Sequence, residues 1–152
     1  MAHPSASSGR TKLVLAADDN PNNLRLLQAI LESQGYAFVG VASGSECLDV
    51  MQQHSPDLVI LDVEMPGLDG FETCRLLRAR EMGAHVPVAF YTAHHLDSDL
   101  RRGIAAGGND FLLKPIEPEK LITRVRRLTE SAVKLRLSRA KASLSPGAVL
   151  WI

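Results

Sequence analysis

The sequence predicts an α/β domain built on a five-stranded parallel sheet, doubly wound, with helices on both faces. Three observations predict it. Short, continuously apolar runs of strand length alternate with longer segments whose apolar residues recur every three or four positions. Gly, Pro, Ser and Asn punctuate the boundaries between them. The alternation occurs five times between residues 12 and 131, and strands separated by helix-length connections pair in parallel through crossover helices.

Each element can be justified in order. Lys12-Leu13-Val14-Leu15-Ala16-Ala17 reads as a strand buried on both faces. Pro21 opens a helix carrying Leu24, Leu27, Ile30 and Leu31, with Gly35 beyond its end. Ala37 to Ala42 is a second strand. Ser43 and Glu46 predict a capping box for a helix that carries Leu48, Val50 and Met51 and stops at His54-Ser55-Pro56. Leu58 to Asp62 is a third strand, and Asp69 caps a helix bearing Phe71, Cys74, Leu76 and Leu77. Val86 to Thr92 is a fourth strand, Leu96 to Ala106 a weaker helix ended by Gly107-Gly108, Asp110 to Lys114 a fifth strand, and a last helix starts near Pro118. These units fill residues 12–131 and leave no room there for a second domain. Residues 1–11 read as a disordered arm, and 132–152 as a helical extension and tail.

Bulk properties narrow the function classes. Lys plus Arg and Asp plus Glu both number 17, so the formal net charge is zero. That argues against direct nucleic-acid or membrane-surface binding by the whole chain. No apolar run approaches the ~20 residues of a membrane span. The opening MAHPSASSGR has no apolar core of a secretory signal. Cys47 and Cys74 lack close spacing and read as reduced, packed thiols of a cytoplasmic protein.

Ligands of doubly wound sheets bind beyond the carboxyl ends of the strands, so the strand ends are informative. The first strand runs into Asp18-Asp19, the third ends at Asp62, the fourth at Thr92 and the fifth at Lys114-Pro115. The segment after the first strand, DDNPNN, is neither a Walker phosphate loop nor a dinucleotide fingerprint. No His/Cys cluster has zinc spacing; His94 and His95 are adjacent. A single Asp at a strand end is ordinarily a helix cap. Three on one rim are too costly for that role alone, because two carboxylates ~4 Å apart repel by ~4 kcal/mol at an effective dielectric of 20. An all-oxygen site of this kind suits Mg²⁺. Lys114 and Thr92 suit phosphoryl oxygens, and one carboxylate can become an acyl phosphate.

DD at 18–19, LDVEMPGLDG at 61–70, TA at 92–93 and GGNDFLLKP at 107–115 together resemble the receiver domain of two-component response regulators. The intervals agree, with 43 residues from Asp19 to Asp62, 30 to Thr92 and 22 more to Lys114. The resemblance covers residues 12 to about 130 and implies a flavodoxin-like (βα)5 fold. It implies Asp62 as phosphoacceptor, Asp19 as a direct Mg²⁺ ligand, Asp18 as a ligand through water, and the Glu64 carbonyl as a further ligand. Thr92 becomes the switch hydroxyl, Lys114 the phosphoryl clamp and Phe111 the aromatic switch, with a cis bond before Pro115. Glu64 and His94 are implied tuners of phosphate lifetime. The implied donor is a histidine kinase or phosphotransfer protein. The implied activity is signalling, in which the domain catalyses only its own phosphorylation and dephosphorylation. The alternative is a Mg²⁺-dependent phosphohydrolase with an aspartyl-phosphate intermediate and Glu64 in the place of its usual second Asp. The Asp18-Asp19 pair and the lack of a cap domain count against it.

After Pro115, 37 residues remain, too few for a winged-helix output domain. Leu121, Val125, Leu128, Ala132 and Leu135 form a short a/d seam on a basic segment. It reads as the end of a fifth helix, as a dimer seam used together with the helix 4–strand 5–helix 5 face, or as the start of a signalling helix leading to an output domain.

Overall fold

The computed structural model describes residues 10–93 and 96–130. The arm before residue 10, His94, His95 and the extension from residue 131, including Ala132 and Leu135 of the seam, lie outside the described residues.

Five parallel strands form one sheet in the order β2-β1-β3-β4-β5. They are β1 (Leu13–Ala17), β2 (Ala37–Val41), β3 (Leu58–Asp62), β4 (Val88–Thr92) and β5 (Asp110–Leu113). The crossovers are α1 (Pro21–Glu32), α2 (Gly44–Met51), α3 (Gly70–Arg78) and α4 (Asp97–Ala106), and α5 occupies residues 118–130. The fold is therefore the doubly wound (βα)5 arrangement expected from the alternation.

Period-two alternation divides the core. One layer joins Leu15, Leu61, Val88 and Phe90 of the sheet to Cys47, Leu48, Phe71, Cys74 and Leu77 of α2 and α3. The other joins Val14, Ala16, Ile60, Tyr91 and Leu112 to Leu27 and Leu31 of α1 and to Leu121 and Val125 of α5. β3 and β4 are buried along their whole length, whereas β2, at the edge, is half-exposed. This is why the central strands read as unbroken apolar runs.

The boundaries differ from expectation where the backbone chemistry is specific. β4 begins at Val88 because Pro87 has no N–H to give the ladder; its carbonyl still accepts from Val59 N. β5 ends at Leu113, although Lys114 N donates to Thr92 O at 2.8 Å. The Ser43 box is only half formed: Ser43 accepts from Glu46 N, but the Glu46 carboxylate accepts from Ala42 N instead of Ser43 N. The complete box caps α3, where Asp69 and Glu72 accept from each other's backbone N–H. Leu76 is 44% exposed rather than packed. A short 3-10 turn, Glu81–Gly83, precedes β4.

Candidate functional site

The strand order reverses between β1 and β3, since β2 lies outside β1 and β4 lies beyond β3. The carboxyl ends of β1 and β3 therefore flank the crevice of the fold. Asp18 and Asp19 follow β1, and Asp62 ends β3. One carboxylate oxygen from each of Asp18, Asp19 and Asp62 lies within 4.8 Å of the others. Asp18 and Asp62 are buried and Asp19 is exposed. This hard, all-oxygen donor set, open on one side, fits Mg²⁺ with room for retained water.

Local structure explains how buried carboxylates are tolerated. Asp18 accepts from Asn20 N at 2.9 Å and from Asn23 Nδ2 at 3.0 Å. Asn20 in turn caps α1 by accepting from Asn22 N, so the whole DDNPNN turn is tied to the carboxylate. Glu64 N points at Asp62 Oδ1 from 3.4 Å. After Pro66, Gly67 takes φ 77°, a left-handed value that a side chain would disfavour. A Cβ at Gly70 would overlap the Asp62 carbonyl oxygen, so glycine lets α3 start directly against the end of β3.

Lys114 is the cation of the site. Its Nζ lies 3.1 Å from Asp18 Oδ2 and 3.1 Å from Asp62 Oδ1. The Lys114–Pro115 bond is cis. Burial is the largest influence on Asp62 and pushes its carboxyl up to about 6; the Lys114 hydrogen bond opposes this and the Asp18 charge adds to it. Burial alone would lower the Lys114 ammonium, but its hydrogen bonds to Asp62 and Asp18 outweigh that and raise it. A metal-free site thus holds one of its carboxylates reluctantly ionised.

Thr92 ends β4 fully inside the rim, 3% exposed. The Phe111 ring is half-buried, 5.1 Å from the Phe90 ring, and a Cβ at Gly103 of α4 would overlap it. Phe111 therefore already occupies a seat between β5 and α4. An open groove of about 470 Å³ adjoins the rim between the loop after β3 and α4, lined by Met65, Pro66, Thr92 and Arg102 among others. Arg102 spans it, 3.7 Å from Asp69 Oδ2 and stacked 4.6 Å above the Phe71 ring. Glu64 is exposed at its edge.

Three features of the structure had no sequence signal that singled them out. Asp57, fully buried before β3, accepts from Leu13 N and from Arg10. Arg78 donates to the carbonyls of Gly83, Val86 and Gly107 and to Asn109 Oδ1, tying the α3–β4 connection to the α4–β5 connection. Tyr91 lies beneath Lys114, with Nζ 5.1 Å from its ring centroid.

Comparison with known proteins agrees with this geometry. The profile of the response regulator receiver domain matches residues 14–126. Response regulator PleD of Caulobacter vibrioides is 40% identical over 116 residues, 76% of this chain but 26% of PleD. This chain thus spans only about a quarter of that relative's length. The structure of the chemotaxis response regulator CheY4 of Vibrio cholerae superposes with a TM-score of 0.75 at 29% identity, covering 78% of this chain and 99% of that one. The receiver domain of sensor histidine kinase PA1611 of Pseudomonas aeruginosa, with a magnesium ion coordinated in its active-site cleft, superposes with a TM-score of 0.74 at 32% identity, covering 80% and 99%.

Proposed function

From the premise that this chain belongs to the response regulator receiver domain family, a family of two-component signalling, we propose that it is a phosphorylation-dependent switch with Asp62 as its phosphoacceptor. The observation that carries the reading is the bridge of Lys114 Nζ between Asp18 and Asp62, at 3.1 Å from each, on an open rim. A structural ion pair needs one carboxylate; two carboxylates and a third nearby leave surplus negative charge that only a bound cation offsets.

Asp18, Asp19 and Asp62, with the Glu64 carbonyl, would hold Mg²⁺, which when bound neutralises carboxylate charge and attracts phosphoryl oxygens. The transfer itself is a displacement at phosphorus. An Asp62 carboxylate oxygen bonds to phosphorus as the P–N bond of a kinase's or phosphotransfer protein's phosphohistidine breaks. The nitrogen keeps the bonding pair and gains a proton. Lys114 leaves its ion pair to bind a phosphoryl oxygen, and the Thr92 hydroxyl donates to another. Water later attacks phosphorus, releasing phosphate and restoring the carboxylate.

Phe111 would carry the change outward. Its ring touches Gly103, so a shift of Thr92 and Phe111 moves α4 against β5. The α4–β5–α5 surface offers apolar contact area for a partner or a second copy, with Ile104 71% and Leu113 44% exposed. Phosphorylation must favour the altered surface by a few kcal/mol to shift the population usefully.

Incubation with acetyl phosphate and, separately, with a panel of phosphomonoesters tests the reading. A switch gives one phosphoryl group per chain from the acyl phosphate and no turnover of the esters. Multiple turnovers of any ester would make the chain a phosphohydrolase.

A further inference from the structure

Lys114 and Asp62 meet although their strands are not neighbours. β4 stands between β3 and β5, and adjacent strands lie ~4.8 Å apart, so the Lys114 side chain must cross β4 to reach Asp62. The crossing point is Tyr91. Tyr91 is in register with Asp62 on one side and with Leu112 on the other. Side chains alternate faces along a strand, so Lys114, two residues past Leu112, returns to the face shared by Asp62 and Tyr91. There its Nζ lies 5.1 Å from the Tyr91 ring centroid, while 3.1 Å from both carboxylates.

The ring cannot easily move away. Tyr91 is 1% exposed, in the packed layer with Leu112, Leu121 and Val125. The ring that meets the ammonium is thus fixed in place by the layer beneath it.

We propose that Tyr91 is a positioning residue for Lys114, its ring face, fixed by the packed layer, holding the ammonium over Asp62. The inference rests on the reading of Asp62 as phosphoacceptor. A lysine stem is flexible and its ammonium is a compact point charge. A ring face within about 6 Å attracts such a cation, more strongly where water is excluded. An aliphatic residue of similar volume would fill the layer without that attraction. A cation held beside Asp62 when the phosphoryl group arrives has only a short way to move from the carboxylate to a phosphoryl oxygen.

The test compares wild type, Tyr91→Leu and Tyr91→Phe by two readouts. The first is the rate of phosphorylation by acetyl phosphate at saturating Mg²⁺, with Mg²⁺ affinity measured alongside. Tyr91→Leu is expected to slow the rate about tenfold at unchanged Mg²⁺ affinity, and Tyr91→Phe, which keeps the ring, to recover most of the loss. The second readout needs neither metal nor phosphodonor: NMR of the Lys114 ε-methylene and ammonium protons. Ring-current shielding is expected in wild type and Tyr91→Phe and absent in Tyr91→Leu. Lack of shielding in wild type would overturn the proposal even if Tyr91→Leu does not fold. So would a wild-type rate in Tyr91→Leu, equal slowing in both variants, or slowing matched by lost Mg²⁺ affinity. Failure of wild type to accept any phosphoryl group would remove the reading of Asp62, while the shielding would still decide the Tyr91–Lys114 contact.

Discussion

Lys114 Nζ stands 3.1 Å from Asp62 Oδ1, reaching across a full strand to do so. The same nitrogen is 3.1 Å from Asp18 Oδ2. Lys114→Ala should therefore leave two buried carboxylates facing each other. The expected loss in metal-free protein is ~2 kcal/mol, below the ~3–5 kcal/mol of a fully buried pair because Lys114 is partly exposed. Urea denaturation in EDTA measures it, and added Mg²⁺ should recover part of the loss. Unchanged stability would mean the bridge is absent in solution.

Asp62 gives a pH dependence whose sign is fixed. Its folded-state carboxyl sits at about 6, above its ordinary value, because burial opposes ionisation. A raised carboxyl contributes stability below the unfolded value of ~4 and loses it as pH rises through the folded value. In EDTA, Asp62→Asn should melt higher than wild type at pH 7.5, and the advantage should vanish near pH 4. An advantage independent of pH would point to packing instead of charge.

Mg²⁺ should stabilise the unphosphorylated fold, by ~2.7 kcal/mol at a hundredfold excess over Kd if it binds the native state alone. Asp19 is the exposed member of the carboxylate trio, so Asp19→Asn perturbs the core least while removing a ligand. That variant should show a blunted shift in melting temperature with Mg²⁺. An equal response would exclude Asp19 from the site.

Cys47 and Cys74 are buried and unpaired with each other as free thiols. Burial pushes Cys47 up to about 12 and raises Cys74 as well. Only the thiolate reacts, and at pH 8 a thiol near 12 is ionised about once in ten thousand molecules. Iodoacetamide should therefore modify neither residue in the native protein and both in urea, as read by intact mass. Rapid native alkylation of either would contradict the packing of α2 and α3 onto the sheet.

The fold was legible because its signals are local. Buried strands such as Leu58–Asp62 are apolar runs, and Ser43, Asp69 and Pro21 mark helix starts within a few residues. The convergence of Asp18, Asp19 and Asp62 followed from one topological rule about strand ends. What was not legible depends on contacts between distant residues. Nothing near Asp57 in the sequence indicates Leu13 N as its donor. The acceptors of Arg78 lie up to 31 residues away. Glu46 chose Ala42 N over Ser43 N, a difference of one backbone position that the box pattern does not encode. Only the crossing of β4 by Lys114 singles out Tyr91.

The central claim is that one buried carboxylate accepts the phosphoryl group. Its most direct test is intact mass and peptide mapping after incubation with acetyl phosphate, with and without Mg²⁺. The account predicts a single added phosphoryl group on Asp62, dependent on Mg²⁺ and absent from Asp62→Asn. A phosphoryl group mapped to another residue of the wild-type chain, or undiminished labelling of Asp62→Asn, would contradict it.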